Sequence, residues 1–189
     1  ASPIVPWSEI DTVLVDMDGT LLDLAFDNFF WMDLIPSHYA KLHQLAKEEV
    51  RDRLLECYRA KEGTLAWYCI DHWTEALGLD IRALKRANRH RIRYLPKAAE
   101  FLASVRARGK RLLLVTNAHQ DTLAIKVSQT GLDAKVDRLI SSHDFQAPKE
   151  TQEFWIKLTE SENIDPQRTL FIEDSLEVLK NARTFGVKF

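Results

Sequence analysis

Cysteine is nearly missing from this chain of 189 residues, with Cys57 and Cys69 the only two. Two thiols supply neither a disulfide framework nor a zinc site, so both are expected to be structural or surface residues in a reduced, cytoplasmic setting. Long apolar runs are missing as well. No stretch approaches the length of a membrane span, so no membrane partner is expected. The opening Ala1-Ser2-Pro3-Ile4-Val5-Pro6-Trp7 lacks the basic region and apolar core of a signal peptide, and it lacks an initiator Met. A processed or trimmed start is the expectation. Charge of one sign is also missing. Lys and Arg number 26 against 28 Asp and Glu, a net charge of −2, which offers no electrostatic footprint for nucleic acid. There is no internal repeat and no low-complexity segment. What remains is 46% hydrophobic and 29% charged, the balance of a soluble globular chain. The length suffices for one domain with a sizeable core, or a core with a small insertion.

The stretch around which the rest is organised is Val13-Leu14-Val15-Asp16-Met17-Asp18-Gly19-Thr20. Val13 to Val15 reads as a parallel strand buried on both faces. Asp16 and Asp18 then fall at its carboxyl end, where open α/β sheets bind ligands. A carboxylate pair there can attack an electrophile, move a proton and hold a hard cation. Gly19 permits a sharp turn. The bland alternative is a strand-ending turn built from ordinary turn residues.

Further along, residues 24–34 read as an aromatic-rich helix capped by Asp23 and stopped by Pro36. Residues 37–60 read as a longer helix, with Leu42, Ala46, Val50, Leu54 and Tyr58 on one face. Thr64 is placed to cap a third helix running to Leu77, with Trp67, Ile70, Trp73 and Leu77 on one side and Gly78 ending it. Asp80 is placed to cap a fourth, basic helix. Residues 23–94 thus form a helical block. After it the pattern alternates: helix 96–108, strand 111–115, helix 120–129, strand 136–140, helix 149–161, strand 169–172, helix 176–185, and the first residues of another strand at 187–189. Short connections between alternating elements imply an α/β fold with a doubly wound parallel sheet. The expected division is a core of residues 1–22 and 95–189 with an inserted helical domain at 23–94.

Three more strand ends carry suitable chemistry. Thr116-Asn117 offers a hydroxyl and loop amides to phosphate oxygens, or simply caps the next helix. Lys149, read as opening the helix after the third strand, can neutralise developing charge, or is a solvated surface lysine. Glu173-Asp174 can complete an oxygen-ligand site for Mg²⁺ with Asp16, or Asp174 and Ser175 cap the last helix.

Asp-x-Asp, Thr-Asn, Lys and Glu-Asp at four successive strand ends resemble motifs I to IV of the haloacid dehalogenase (HAD) superfamily. The helical block is similar to its C1-type cap. The resemblance implies a Mg²⁺-dependent phosphatase. Asp16 is then the nucleophile and Asp18 the acid/base, while Thr116, Asn117 and Lys149 bind the phosphoryl group. Asp16, Asp18, Asp174 and Glu173 hold the metal. Longer strings, among them Leu65-Ala66-Trp67-Tyr68-Cys69-Ile70-Asp71 and Thr116-Asn117-Ala118-His119, resemble a bacterial branch of the superfamily acting on purine nucleoside 5′-monophosphates such as GMP and IMP. The implied partner is a small phosphorylated substrate. The alternatives are a sugar-phosphate or phosphoglycolate phosphatase and, from another class, a receiver-like phospho-acceptor domain.

Asn28 and His119 follow the first two motifs closely and are candidate substrate contacts. The aromatics of residues 26–73 read mainly as core, with Trp67 or Tyr68 a candidate to stack on a base. The six Lys or Arg of residues 81–95, unaccompanied by any acid, read as a solvated helix face, the alternative being a basic patch that draws an anionic substrate to the cleft. The family continues past the last strand, so a C-terminal segment is expected beyond Phe189.

Overall fold

The computed structural model describes residues 4–189. Its strands are β1 (Thr12–Val15), β2 (Arg111–Thr116), β3 (Arg138–Ser141) and β4 (Thr169–Ile172). They form one parallel sheet in the order β3-β2-β1-β4, with Leu14 opposite both Leu113 and Phe171. Its helices are α1 (Ala25–Phe29), α2 (Ile35–His43), α3 (Lys47–Arg59), α4 (Ile70–Leu77), α5 (Ile81–Ala87), α6 (Ala98–Ala107), α7 (Gln120–Thr130), α8 (Gln152–Glu162) and α9 (Leu176–Phe185). No helix among the described residues is long and apolar enough to cross a membrane.

Successive strand residues point to opposite faces, and both faces here are covered. Val13, Val15, Leu112 and Leu114 pack with Leu102 and Val105 of α6 and with Leu123 and Ile125 of α7. Leu14, Leu113, Val115 and Phe171 pack on the other side with Phe154, Trp155 and Leu158 of α8 and with Val178 and Ala182 of α9. The sheet is therefore doubly wound, as the alternating pattern implies. Helices α1 to α5 lie between β1 and α6 in sequence. The chain enters and leaves this block through adjacent points. Asp23 N–H donates to the Arg93 carbonyl (3.0 Å), and Leu95 N–H donates to the Leu21 carbonyl (2.8 Å).

The strands and the last helix match the expected positions closely, whereas the helical block differs from them. Pro36 does not stop a helix, because a π-helical segment, Phe30–Leu34, joins α1 to α2 and Pro36 sits in the first turn of α2. The wider π turn accommodates a residue that lacks an N–H and would crowd a normal α turn. The long helix expected over 37–60 is two helices. Gln44 adopts a left-handed φ of 54° and Ala46 begins a new N-terminus. Val50, Leu54 and Tyr58 are buried as expected, while Leu42 is 53% exposed. Thr64 caps only a 3-10 turn, Leu65–Tyr68, and extended backbone at Cys69 separates it from α4. Lys149 does not open α8; it lies three residues before that helix, in an irregular segment. Val187 to Phe189 is not a regular strand, but Phe171 N–H donates to the Phe189 carbonyl (3.0 Å) and Phe189 N–H to Thr169 (3.2 Å), so the segment runs along β4.

Trp155 anchors the second face. It is fully buried, packs edge-on against Phe154 and Phe171 at 5.1 and 5.0 Å, and donates its indole N–H to the Lys149 carbonyl (3.0 Å). Trp155→Ala is expected to lower unfolding free energy in urea by about 3–5 kcal/mol, the usual cost of deleting a buried large aromatic. A loss below about 1 kcal/mol would show that this face of the sheet is not tightly packed.

Candidate active site

Asp16 continues β1 by one residue, its N–H donating to the Ile172 carbonyl (3.0 Å). The chain then folds back on itself, with Leu21 and Leu22 N–H both donating to the Met17 carbonyl (2.9 Å each). Gly19 makes this turn with φ +82°, and any Cβ there would collide with the Asp174 carboxylate. Glycine is thus required twice, for the left-handed backbone and for the approach of a strand-end carboxylate.

The centre of the site is Lys149. Its ammonium lies 2.7 Å from Asp16 Oδ1, 2.7 Å from Glu173 Oε2 and 3.1 Å from the Val115 carbonyl. Asp16 and Lys149 are both buried. Burial alone would lower the lysine pKa, but the two carboxylates outweigh it and hold the ammonium charged. Burial raises the Glu173 carboxyl, with Lys149 opposing the rise and the Asp16 charge adding to it. Burial also raises the Asp174 carboxyl. The carboxylates of Asp16, Glu173 and Asp174 offer ligand atoms within 4.8 Å of one another. Both Glu173 oxygens are engaged, one by Lys149 and one by Ser175 N–H (3.1 Å).

Asp18 faces a second lysine. Lys126 Nζ on α7 lies 2.6 Å from Asp18 Oδ1, and it lies 2.9 and 2.7 Å from the two oxygens of Asp27 on α1. Burial pushes the Asp18 carboxyl up to about 6, Lys126 opposing and the charges of Asp27 and Asp16 adding to the rise. Sequence reasoning did not single out Lys126 or Asp27, because a lone Lys on a polar helix carries no signal of burial.

These groups open into a cavity of about 390 Å³. Asp16, Asp18, Thr116, Asn117, Lys149, Glu173 and Asp174 line one part, while Asn28, Trp31, Tyr58, Trp67, Tyr68, Trp73 and Lys85 of the helical block line another. The candidates from β1, β2, β4 and the loop before α8 are therefore brought together, and Asn28 joins them. His119 is not among the lining residues; it caps α7, its Nδ1 accepting Asp121 N–H (3.1 Å). Thr116 and Asn117 do not cap that helix. Thr116 Oγ1 accepts Ala118 N–H (3.1 Å), and Asn117 accepts Lys149 N–H (2.9 Å) and donates to Glu150 (2.6 Å), fixing the lysine segment. Ser175, not Asp174, caps α9. In the basic run of residues 81–95, Arg86, Arg89, Arg91 and Arg93 are exposed as expected, but Lys85 is buried.

Cys69, Asp71 and His119 form a second group with ligand atoms within 4.8 Å. It is unsuited to a metal. A metal-bound histidine donates its other ring N–H, whereas His119 Nδ1 accepts Asp121 N–H here (3.1 Å), and Nε2 lies 3.5 Å from Asp71 Oδ2.

A family model for haloacid dehalogenase-like hydrolases matches residues 10–186. The chain is 43% identical over 185 residues to the GMP/IMP nucleotidase YrfG of Escherichia coli (strain K12). That match covers 98% of this chain and 83% of the relative, and the Shigella flexneri protein of the same name gives the same figures. Among solved structures, the HAD phosphatase from Thermococcus onnurineus superposes with a TM-score of 0.83 at 22% identity, over 94% of this chain and 83% of that one. The L-2-haloacid dehalogenase from Xanthobacter autotrophicus gives 0.61 at 19% identity, over 94% and 75%. The two structures share this fold. With its model spanning nearly the whole chain and the ends of β1, β2 and β4 meeting around Lys149, the protein belongs to the haloacid dehalogenase-like hydrolase family.

Proposed function

We propose that this hydrolase is a Mg²⁺-dependent phosphomonoesterase acting through an aspartyl-phosphate on purine nucleoside 5′-monophosphates. The observation that carries the reading is the pair Asp16 and Asp18, one bonded to Lys149 and the other to Lys126, at a cavity that Trp31, Tyr58, Trp67, Tyr68 and Trp73 also line. Identity of 43% to a GMP/IMP nucleotidase supports the choice of nucleotide. We also propose that residues 23–94 act as a cap over a core of residues 1–22 and 95–189.

The donor set fits the cation. Asp16, Glu173 and Asp174 offer only oxygen, as a hard divalent ion requires, and Gly19 leaves Asp174 room to approach. Asp16 and Asp174 would hold it, helped by the Asp18 carbonyl and by Glu173, whose carboxylate is already committed to Lys149 and Ser175. When bound, the ion supplies positive charge that offsets repulsion between a carboxylate and a phosphate dianion. In the first step an Asp16 oxygen attacks phosphorus, while Asp18 gives its proton to the departing oxygen. In the second, Asp18 takes a proton from water as that water attacks the phosphorus, and Asp16 is restored. Lys149 balances charge beside Asp16 throughout. Asp18 favours phosphatase over dehalogenase chemistry, because an alkoxide leaving group needs a proton and halide does not. A receiver-like phospho-acceptor would have no use for this second aspartate or for an aromatic cavity.

Asp18→Asn is expected to slow nucleotide turnover by about 10²–10⁴-fold, with a smaller loss in the phosphorylation step for p-nitrophenyl phosphate, whose leaving group needs little protonation. Equal losses for both substrates in single-turnover kinetics would remove Asp18 from the acid role. EDTA should silence the enzyme and Mg²⁺ restore it. Gly19→Ala should raise the Mg²⁺ concentration needed for half-maximal activity, since the new methyl displaces Asp174. An unchanged Mg²⁺ requirement would mean that Asp174 does not hold the ion.

A further inference from the structure

One buried cation has no task in the chemistry above. Lys85 on α5 is 3% exposed and lines the cavity. Its ammonium lies 4.6 Å from the Phe30 ring centroid, 5.2 Å from Trp31 and 5.8 Å from Phe26. It makes no hydrogen bond or ion pair with the described residues. Asp27, whose charge it feels most, has both oxygens taken by Lys126. Burial lowers its pKa to about 8, which leaves it protonated at neutral pH.

A largely buried ammonium with three donors and no acceptor from the protein is costly to keep. The aromatic faces offset part of that cost but accept no ordinary hydrogen bond. An apolar side chain would fill the same cage without the penalty. The arrangement makes physical sense if whatever occupies the cavity brings an acceptor. The phosphoryl end is already served by Lys149 and Lys126. The rings around Lys85 are Phe26, Phe30 and Trp31 of the helical block, which sets its ammonium on the aromatic side of the cavity. The acceptor therefore belongs to the leaving group.

This step rests on the purine-nucleotide reading. We propose that Lys85 is a specificity-determining residue whose ammonium donates to the 6-oxo oxygen of hypoxanthine or guanine. Those bases present acceptors at O6 and N7, whereas adenine places an amino donor at the 6-position. Adenine would oppose donor to donor and leave the buried ammonium unpaired, the kind of mismatch that discriminates most strongly.

The test is a cycle between enzyme and substrate. Wild type, Lys85→Met and Lys85→Leu are assayed on IMP and on purine riboside 5′-monophosphate, which lacks the 6-oxo group and, with it, the N1 proton. For wild type, kcat/KM should favour IMP by about 10- to 100-fold, the worth of a charge-assisted hydrogen bond. In the variants that ratio should fall close to one, and the Ki of inosine as a competitive inhibitor should rise. An ammonium has no acceptor for N1–H, so the part of the ratio that depends on Lys85 reports the 6-oxo contact, and the two apolar variants guard against one of them failing to fold. A ratio that persists in the variants, or is absent in wild type, overturns the assignment while leaving the nucleotidase reading intact. A ratio that collapses instead for IMP against 2′-deoxy-IMP would place the ammonium on the ribose and also overturn it. Wild type that turns over sugar phosphates and no purine nucleotide would fail the nucleotidase reading itself, and this inference with it.

Discussion

One ammonium shared between two buried carboxylates organises this structure. Lys149 meets Asp16 from the end of β1 and Glu173 from the end of β4, and its own segment is pinned by Asn117 from the end of β2 and by the Trp155 indole. Only the parallel register brings those ends to one edge. The charges are interdependent. Removing the lysine would leave two carboxylates buried beside Asp174, and removing a carboxylate would leave the ammonium less than neutralised. The close fit of Gly19 against Asp174 follows from the same crowding of charge into a small volume.

A second cation couples the two parts of the chain. Lys126 belongs to a helix packed on the sheet, yet it bonds both Asp18 of the β1 loop and Asp27 of the helical block. The position of the proposed acid therefore depends on how the block is seated. Further contacts span the same boundary: Arg82 of α5 pairs with Asp121 of α7, and the Tyr68 hydroxyl donates to Glu150 (3.2 Å). The aromatic rings largely pack on one another, as with Tyr58 and Trp73 at 5.2 Å, while their remaining edges face the cavity.

What the sequence made legible divides along physical lines. The strands were readable because a strand covered on both faces is continuously apolar, and β4 and α9 fall where the pattern placed them. The groups of Asp16, Asp18, Thr116, Glu173 and Asp174 were readable because strand ends are fixed in sequence, whereas Lys149 lies in an irregular segment before α8 and not at the helix start that the pattern suggested. Lys126 and Lys85 were not, since what buries them comes from afar; Lys126 is 108 residues from Asp18 and 99 from Asp27. Periodicity assigned Leu42 and Ala46 to a buried face because it could not foresee the left-handed turn at Gln44. Proline at position 36 misled for a comparable reason, since a π turn is a tertiary accommodation with no simple sequence sign.

The central claim is that Asp16 carries the phosphoryl group. It is tested most directly by quenching the enzyme during turnover of IMP, reducing with borohydride and sequencing the β1 peptide by mass spectrometry. An acyl phosphate at Asp16 is reduced to homoserine, so the account expects homoserine at position 16 alone, only when substrate is present. Turnover with an unmodified Asp16, or reduction at Asp18 instead, would contradict it.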